Sequence, residues 1–249
     1  MRSLLFAANW KMHVGPAAAR AYLDQFLAGY KPQLGRQVWF FPPAVSLHTV
    51  SQQIWGREDL AAGAQDVYWE QKGAFTGAIS VPLAAESGAR AALVGHSERR
   101  HVFGETDADT ARKVLAVLKG ELIPVLCVGE KLEEREAGKT LAVVQRQLAA
   151  ALEGLDTDGL DKVIIAYEPV WAIGTGKNAT PRDAAQVHAD IRGWLTQRGA
   201  TSPVILYGGS VNLKNIAELL AERELDGVLV GGASLDPATW VQLVSTPVT

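Results

Sequence analysis

Only one cysteine, Cys127, occurs in 249 residues. No internal disulfide can staple the chain, and a reducing compartment is the natural setting. Charge of one sign is lacking as well: 24 basic against 27 acidic residues leave a net charge of −3. That balance argues against a nucleic-acid or membrane surface, so an anionic ligand has to be attracted by a local arrangement. Long apolar runs are missing. No stretch reaches the length of a transmembrane helix. The apolar start, Leu4 to Ala8, is too short and too soon followed by Asn9 and Lys11 for a signal peptide. No His/Cys/Asp cluster has metal-ligand spacing, and neither a metal nor a cofactor is expected. Linkers and low-complexity tracts are absent too. A cytoplasmic, single-domain protein spanning 1–249 is the expectation.

What is present is core: 48% of the residues are hydrophobic. Short β-type runs recur, beginning with Leu4 to Ala8, Val38 to Phe41, Leu60 to Ala62 and Ala91 to Val94. Four more follow at Ile123 to Val128, Val163 to Tyr167, Val204 to Tyr207 and Val228 to Val230. They are continuous rather than alternating, as strands buried on both faces require. Helical patterns lie between them at Ala17 to Leu27, Asp107 to Leu118 and Leu141 to Leu152. Thr180-Pro181 and Asp236-Pro237 each set a cap residue before a proline in the first helical turn. A doubly wound sheet could use the same alternation, but equal units of about 31 residues favour closure into an α/β (β/α)8 barrel.

Barrel enzymes carry their chemistry at the carboxyl ends of the strands. Asn9-Trp10-Lys11-Met12 follows the first run and Gly95-His96-Ser97-Glu98-Arg99-Arg100 the fourth. The sixth leads into Tyr167-Glu168-Pro169-Val170-Trp171-Ala172-Ile173-Gly174-Thr175-Gly176-Lys177. Tyr207-Gly208-Gly209-Ser210-Val211 and Gly231-Gly232-Ala233-Ser234 follow the seventh and eighth. A cation, an imidazole, a carboxylate and two glycine-rich turns are thus predicted at one mouth. Taken singly, a strand-end carboxylate caps a loop and a lone histidine packs; His13, His48, His101 and His188 are read as surface or packing residues, and Cys127 as a buried packing residue.

These motifs, in this order and spacing, resemble the triosephosphate isomerase family. The resemblance implies interconversion of dihydroxyacetone phosphate and glyceraldehyde 3-phosphate by proton transfer through an enediolate. It assigns the base to Glu168 and the electrophile to His96, roles known for the family. Burial is expected to raise the Glu168 pKa, and the helix end behind His96 to disfavour imidazolium. Lys11 would supply the cation and Asn9 a hydrogen bond beside it. Glu98 would pair with Lys11, the alternative being dipole stabilisation in a first helical turn. Backbone N–H groups at Gly208-Gly209-Ser210 and at Gly231 and Gly232 would hold the phosphate. Residues 169–177 read as a lid with hinges at both ends, Gly174 closing over the same phosphate. The long loop 63–78 would project into a second subunit of a homodimer, bringing Thr76 to the partner's copies of Asn9 and Lys11. Ala78, where glutamate is common, and Asn212-Leu213-Lys214 depart from the family pattern. Two rivals remain: a Schiff-base aldolase using Lys11, whose partner Glu98 would favour the ammonium form, and a non-catalytic barrel binding a phosphorylated ligand.

Overall fold

The computed structural model describes residues 3–172 and 179–248. Eight parallel strands close into a barrel in sequence order. They are β1 (Leu4–Asn9), β2 (Arg36–Phe41), β3 (Leu60–Ala64), β4 (Ala89–Val94), β5 (Ile123–Val128), β6 (Ile164–Tyr167), β7 (Val204–Tyr207) and β8 (Gly227–Val230). The seam is closed by β1 on β8, with Leu5 opposite Gly227 and Ala8 opposite Val230.

Each strand is apolar on both faces because each face meets a core. Ala7, Phe41, Leu93, Cys127, Ala166, Leu206 and Leu229 belong to the cluster that fills the lumen. Their sequence neighbours Phe6, Ala8, Phe40, Val94, Leu126, Ile165 and Val230 belong to the cluster under the helices. The alternation follows from the period of two along a strand. Burying one such large side chain contributes about 1.5–3 kcal/mol relative to leaving it in water.

The outer layer begins with α1 (Pro16–Gly29), α2 (Ala44–Gln53), α3 (Val81–Glu86), α4 (Ser97–His101) and α5 (Asp107–Lys119). It continues with α6 (Leu132–Glu136), α7 (Thr140–Leu152), α8 (Thr157–Asp161), α9 (Pro181–Thr196), α10 (Ile216–Ala221) and α11 (Pro237–Val244). The two expected caps form. Thr180 and Asp183 bond reciprocally at the start of α9, and the Asp236 carboxylate accepts the Thr239 N–H at the start of α11. Sequence periodicity did not show α2, α3 or α10. α3 and α10 have six residues each, too few to display a helical repeat, and all three are held by the barrel they cover. β3 runs two residues beyond its apolar start, so the long loop begins at Gln65 rather than Gly63. Among the described residues no helix is long and apolar enough to cross a membrane.

A buried ionic cluster ties the long loop to the barrel. Lys113 of α5, its side chain 4% exposed, lies 2.5 Å from both Glu105 and Asp66. Arg99 completes the cluster at 3.2 Å from Asp66 and 3.4 Å from Glu105. Removing Lys113 takes the closest cation from the buried Glu105 and leaves it only the longer contact to the more exposed Arg99. Lys113→Met should therefore cost about 3–5 kcal/mol of stability, read from urea unfolding. A loss below about 1 kcal/mol would place the pair in the weak class typical of exposed ion pairs.

Candidate active site

The carboxyl ends of the strands converge on a cavity of about 270 Å³ lined by Asn9, Lys11, His96, Glu168 and the turns Gly208–Val211 and Gly231–Ala233. Local structure explains how each side chain gets there. Trp10 is fully buried and packs edge-on against Tyr22 at 4.7 Å, pinning the end of β1 while Asn9 and Lys11 face the mouth. Lys11 has φ +48, a conformation that costs a non-glycine residue of order 1–3 kcal/mol. Three contacts hold it there. The Asn9 side-chain oxygen accepts the Lys11 N–H at 3.0 Å, Gln65 donates to the Lys11 carbonyl at 2.8 Å, and the ammonium meets Glu98 Oε1 at 2.8 Å. Glu98 itself stands outside the cavity lining, behind Lys11.

His96 is the N-cap of α4, and its Nδ1 accepts the Glu98 backbone N–H at 3.3 Å. An accepting Nδ1 leaves Nε2 to carry the ring proton. That nitrogen points at Glu168 Oε1, 3.0 Å away. Glu168 follows β6, and its backbone N–H continues the ladder to the Val128 carbonyl at 2.8 Å. Its carboxylate also accepts from Ser97, through the backbone N–H at 2.9 Å and the hydroxyl at 3.3 Å.

Both groups are almost completely buried, Glu168 at 2% and His96 at 6% exposure. Burial alone would raise the carboxyl pKa and lower that of the imidazole. Facing one another, they reverse both tendencies. The imidazole and the Ser97 N–H hold the Glu168 carboxyl below its ordinary value. The Glu168 charge lifts His96 above its own. The expectation from sequence ran the other way for each, because it weighed burial and the helix end without the counter-charge 3.0 Å away. The stability that this depressed carboxyl contributes is complete above the usual carboxylate range and is lost as pH falls through its folded value.

The two glycine turns differ in use. The Gly208 N–H is consumed by the Tyr167 carbonyl at 2.7 Å, so it is not offered to the cavity. Gly208 is small for another reason: a Cβ there would stand 2.9 Å from Glu168 Cγ. The N–H groups of Ser210 and Gly232 have no acceptor among the described residues.

The segment expected to form a lid starts with a 3-10 turn, Val170–Ala172, tied to the barrel through Glu130. Glu130 is fully buried and accepts from the Tyr167 hydroxyl at 3.1 Å and the Trp171 indole at 3.0 Å. The expected phosphate donor Gly174 and the second hinge, Gly176 to Asn178, lie outside the described residues. Thr76 sits on the long loop, exposed in the single chain. Of the remaining histidines, His13, His48 and His101 are exposed, while His188 is buried between the Tyr167 and Tyr207 rings. Cys127 is buried in the lumen below the site. Sequence reading gave no role to Ser97 or Gln65. Ser97 stands inside the motif carrying His96, yet only the fold shows that it meets Glu168, which is 71 residues away. Gln65 carries no local signal at all.

The model of the triosephosphate isomerase family matches residues 4–246. The chain belongs to the triosephosphate isomerase family. It is 45% identical over 243 residues to the triosephosphate isomerase of Aquifex aeolicus, covering 96% of this chain and 98% of that protein. It is 46% identical over 251 residues to that of Moorella thermoacetica, covering 98% and 99%. The Thermus thermophilus triosephosphate isomerase is 45% identical over 248 residues, covering 98% of each. In this family member the imidazole charge should follow the carboxylate. Glu168→Gln keeps the shape and removes the charge, leaving burial to govern His96. Its midpoint, followed by ¹⁵N NMR, should fall relative to the native chain and to below about 6.5. An unchanged midpoint would mean that Glu168 does not set the charge of His96.

Proposed function

We propose that the chain interconverts dihydroxyacetone phosphate and D-glyceraldehyde 3-phosphate, a step of glycolysis and gluconeogenesis, with Glu168 as base and His96 as electrophile. The observation that carries the reading is the buried 3.0 Å contact between Glu168 and His96 Nε2, on a cavity shared with Lys11 and two glycine turns. The carboxylate is held ready in its ionised form, bonded to Ser97 and His96. Exchanging those bonds for the substrate lets it take a proton from carbon 1 of dihydroxyacetone phosphate and return it to carbon 2. His96 donates from Nε2 to the carbonyl oxygen and shuttles a proton between the two oxygens as the enediolate forms and collapses. Once Glu168 leaves, burial favours the neutral imidazole. Lys11, oriented by Glu98, opposes the developing negative charge, and the Asn9 amide nitrogen donates beside it.

The phosphate is met by backbone N–H groups of Ser210, Gly231 and Gly232, with Gly174 completing the set from the lid. Closure of residues 169–177 would exclude water and strengthen the interactions of Lys11 and His96 with the enediolate. An aldolase is disfavoured because the Lys11 nitrogen is engaged by Glu98 at 2.8 Å. A passive binding barrel gives Glu168 and His96 nothing to do. Neither a metal nor a cofactor enters this mechanism.

The assembly follows the same reading. Met12, next to Lys11, is 93% exposed in the single chain, and Phe75, Val102 and Phe103 are exposed as well. Apolar surface beside a catalytic lysine favours a homodimer through the long loop, with Thr76 approaching the partner's copies of Asn9 and Lys11. Ala78, exposed on that loop, offers no polar contact there. The whole chain acts as a single catalytic domain, and its lone cysteine favours a reducing compartment such as the cytoplasm.

A coupled isomerase assay tests the chemistry. Glu168→Asp withdraws the carboxylate by about 1 Å and should lower kcat by ~10²-fold with little change in KM. Near-native turnover in that variant would remove Glu168 from the role of base. Shortening the loop between Gln65 and Gly77 should yield monomers of low activity by light scattering and assay. A fully active monomer would uncouple the interface from catalysis.

A further inference from the structure

Gly95, the residue that precedes His96, is held on both its backbone polar groups by two buried, oppositely charged side chains. Gly95 donates its N–H to Glu105 Oε1 at 2.9 Å, and its carbonyl accepts from Arg100 Nε at 2.8 Å. The Arg100 side chain is 6% exposed. Its other nitrogens donate to the Cys127 carbonyl at 3.3 Å and to Asp107 Oδ1 at 2.7 Å. Asp107, the first residue of α5, is held on its second oxygen by Arg146 of α7. The packing leaves no slack: Gly95 has φ +70, and a Cβ there would lie 2.7 Å from Arg100 Nη2 and 2.9 Å from Thr110.

The two carbonyls that Arg100 gathers lie after β4, where His96 begins, and in β5, the strand that pairs with the one carrying Glu168. Gly95 follows β4 and leads directly into His96. Cys127 lies in β5 opposite Ala166 of β6, and the next β5 residue, Val128, accepts the Glu168 N–H. One planar guanidinium therefore spans from the residue before the electrophile to β5, the strand whose Val128 carbonyl holds the backbone N–H of the base. Its donors form a rigid fork, so the angle between those carbonyls is fixed, which a lysine ammonium cannot do.

We infer that Arg100, oriented by Asp107 and Arg146, is a positioning residue that sets the placement of the His96 ring relative to Glu168. It touches neither substrate nor reacting atoms, and its role rests on the assignment of His96 and Glu168 proposed above. Nothing in the phosphate turns depends on it, since those follow β7 and β8. A defect in the clamp should therefore appear in turnover and leave phosphate binding intact.

The test uses the full chain with Arg100→Lys and the milder Asp107→Asn. Steady-state kinetics with dihydroxyacetone phosphate are paired with inhibition by inorganic phosphate, which probes the turns alone, and the folded fraction is read by near-UV circular dichroism. Arg100→Lys should lower kcat by ~10²-fold per folded molecule, a misplacement of about 1 Å being able to cost that much. Asp107→Asn should lower it by ~10-fold, while KM and the phosphate inhibition constant stay within ~3-fold in both. The His96 ring ¹⁵N signals should shift in both variants. The inference is overturned if Arg100→Lys turns over within ~3-fold of the native chain. It is also overturned if turnover and phosphate binding fall together with the folded fraction, or if neither variant folds, since Arg100 would then serve only the fold. A native chain without isomerase activity would instead refute the proposed function, and the ring signals would still report on the clamp.

Discussion

Parallel strands covered on both faces leave no water for an unpaired edge, and closure is what removes the edges here. The pairing of β1 with β8 is the seam on which everything else depends. Closing the sheet forces all the strands to end at one rim, so residues from β1, β4, β6, β7 and β8 meet although they span more than 200 positions of the chain. It also fixes the floor of the site. The lumen is packed with Leu93, Cys127, Leu206 and Leu229, so the charged residues above stand on an apolar, rigid base.

Charge in such a place has to be paired or surrounded by donors. The barrel satisfies this repeatedly with groups brought from different strands. Glu168 has His96 and Ser97, Lys11 has Glu98, Glu130 has Tyr167 and Trp171, and Glu105 has Lys113 and Gly95. The low dielectric that makes these pairs necessary also sharpens them, because an interaction poorly screened by water responds strongly to small displacements. Near the mouth the same networks therefore bear on stability and on the geometry of the reactive groups.

Much of this was legible in the chain. The strands announce themselves because both their faces are apolar, and the strand-end rule then points to Asn9, Lys11, His96, Glu168 and the glycine turns. Short helices such as Val81–Glu86 and Ile216–Ala221 were not legible, since six residues carry too little periodicity and the barrel supplies their stability. Nor was Gln65, whose amide reaches the carbonyls of both Lys11 and Phe41. A glutamine at the start of a loop has no local feature that tells of such partners.

The sequence by itself determined the barrel, the family and the identity of the residues at the mouth, because those follow from local apolar pattern and from motifs read in order. Only the tertiary structure decided what state those residues are in. It sets Glu168 against His96 rather than in open solvent, so the pKa of each moves opposite to the direction burial alone would give. It spends the Gly208 N–H on the barrel and leaves those of Ser210 and Gly232 without an acceptor among the described residues. The physical reason is the same in each case. A pKa or a free hydrogen-bond donor is a property of neighbours within a few ångströms, and in a closed barrel those neighbours come from distant parts of the chain.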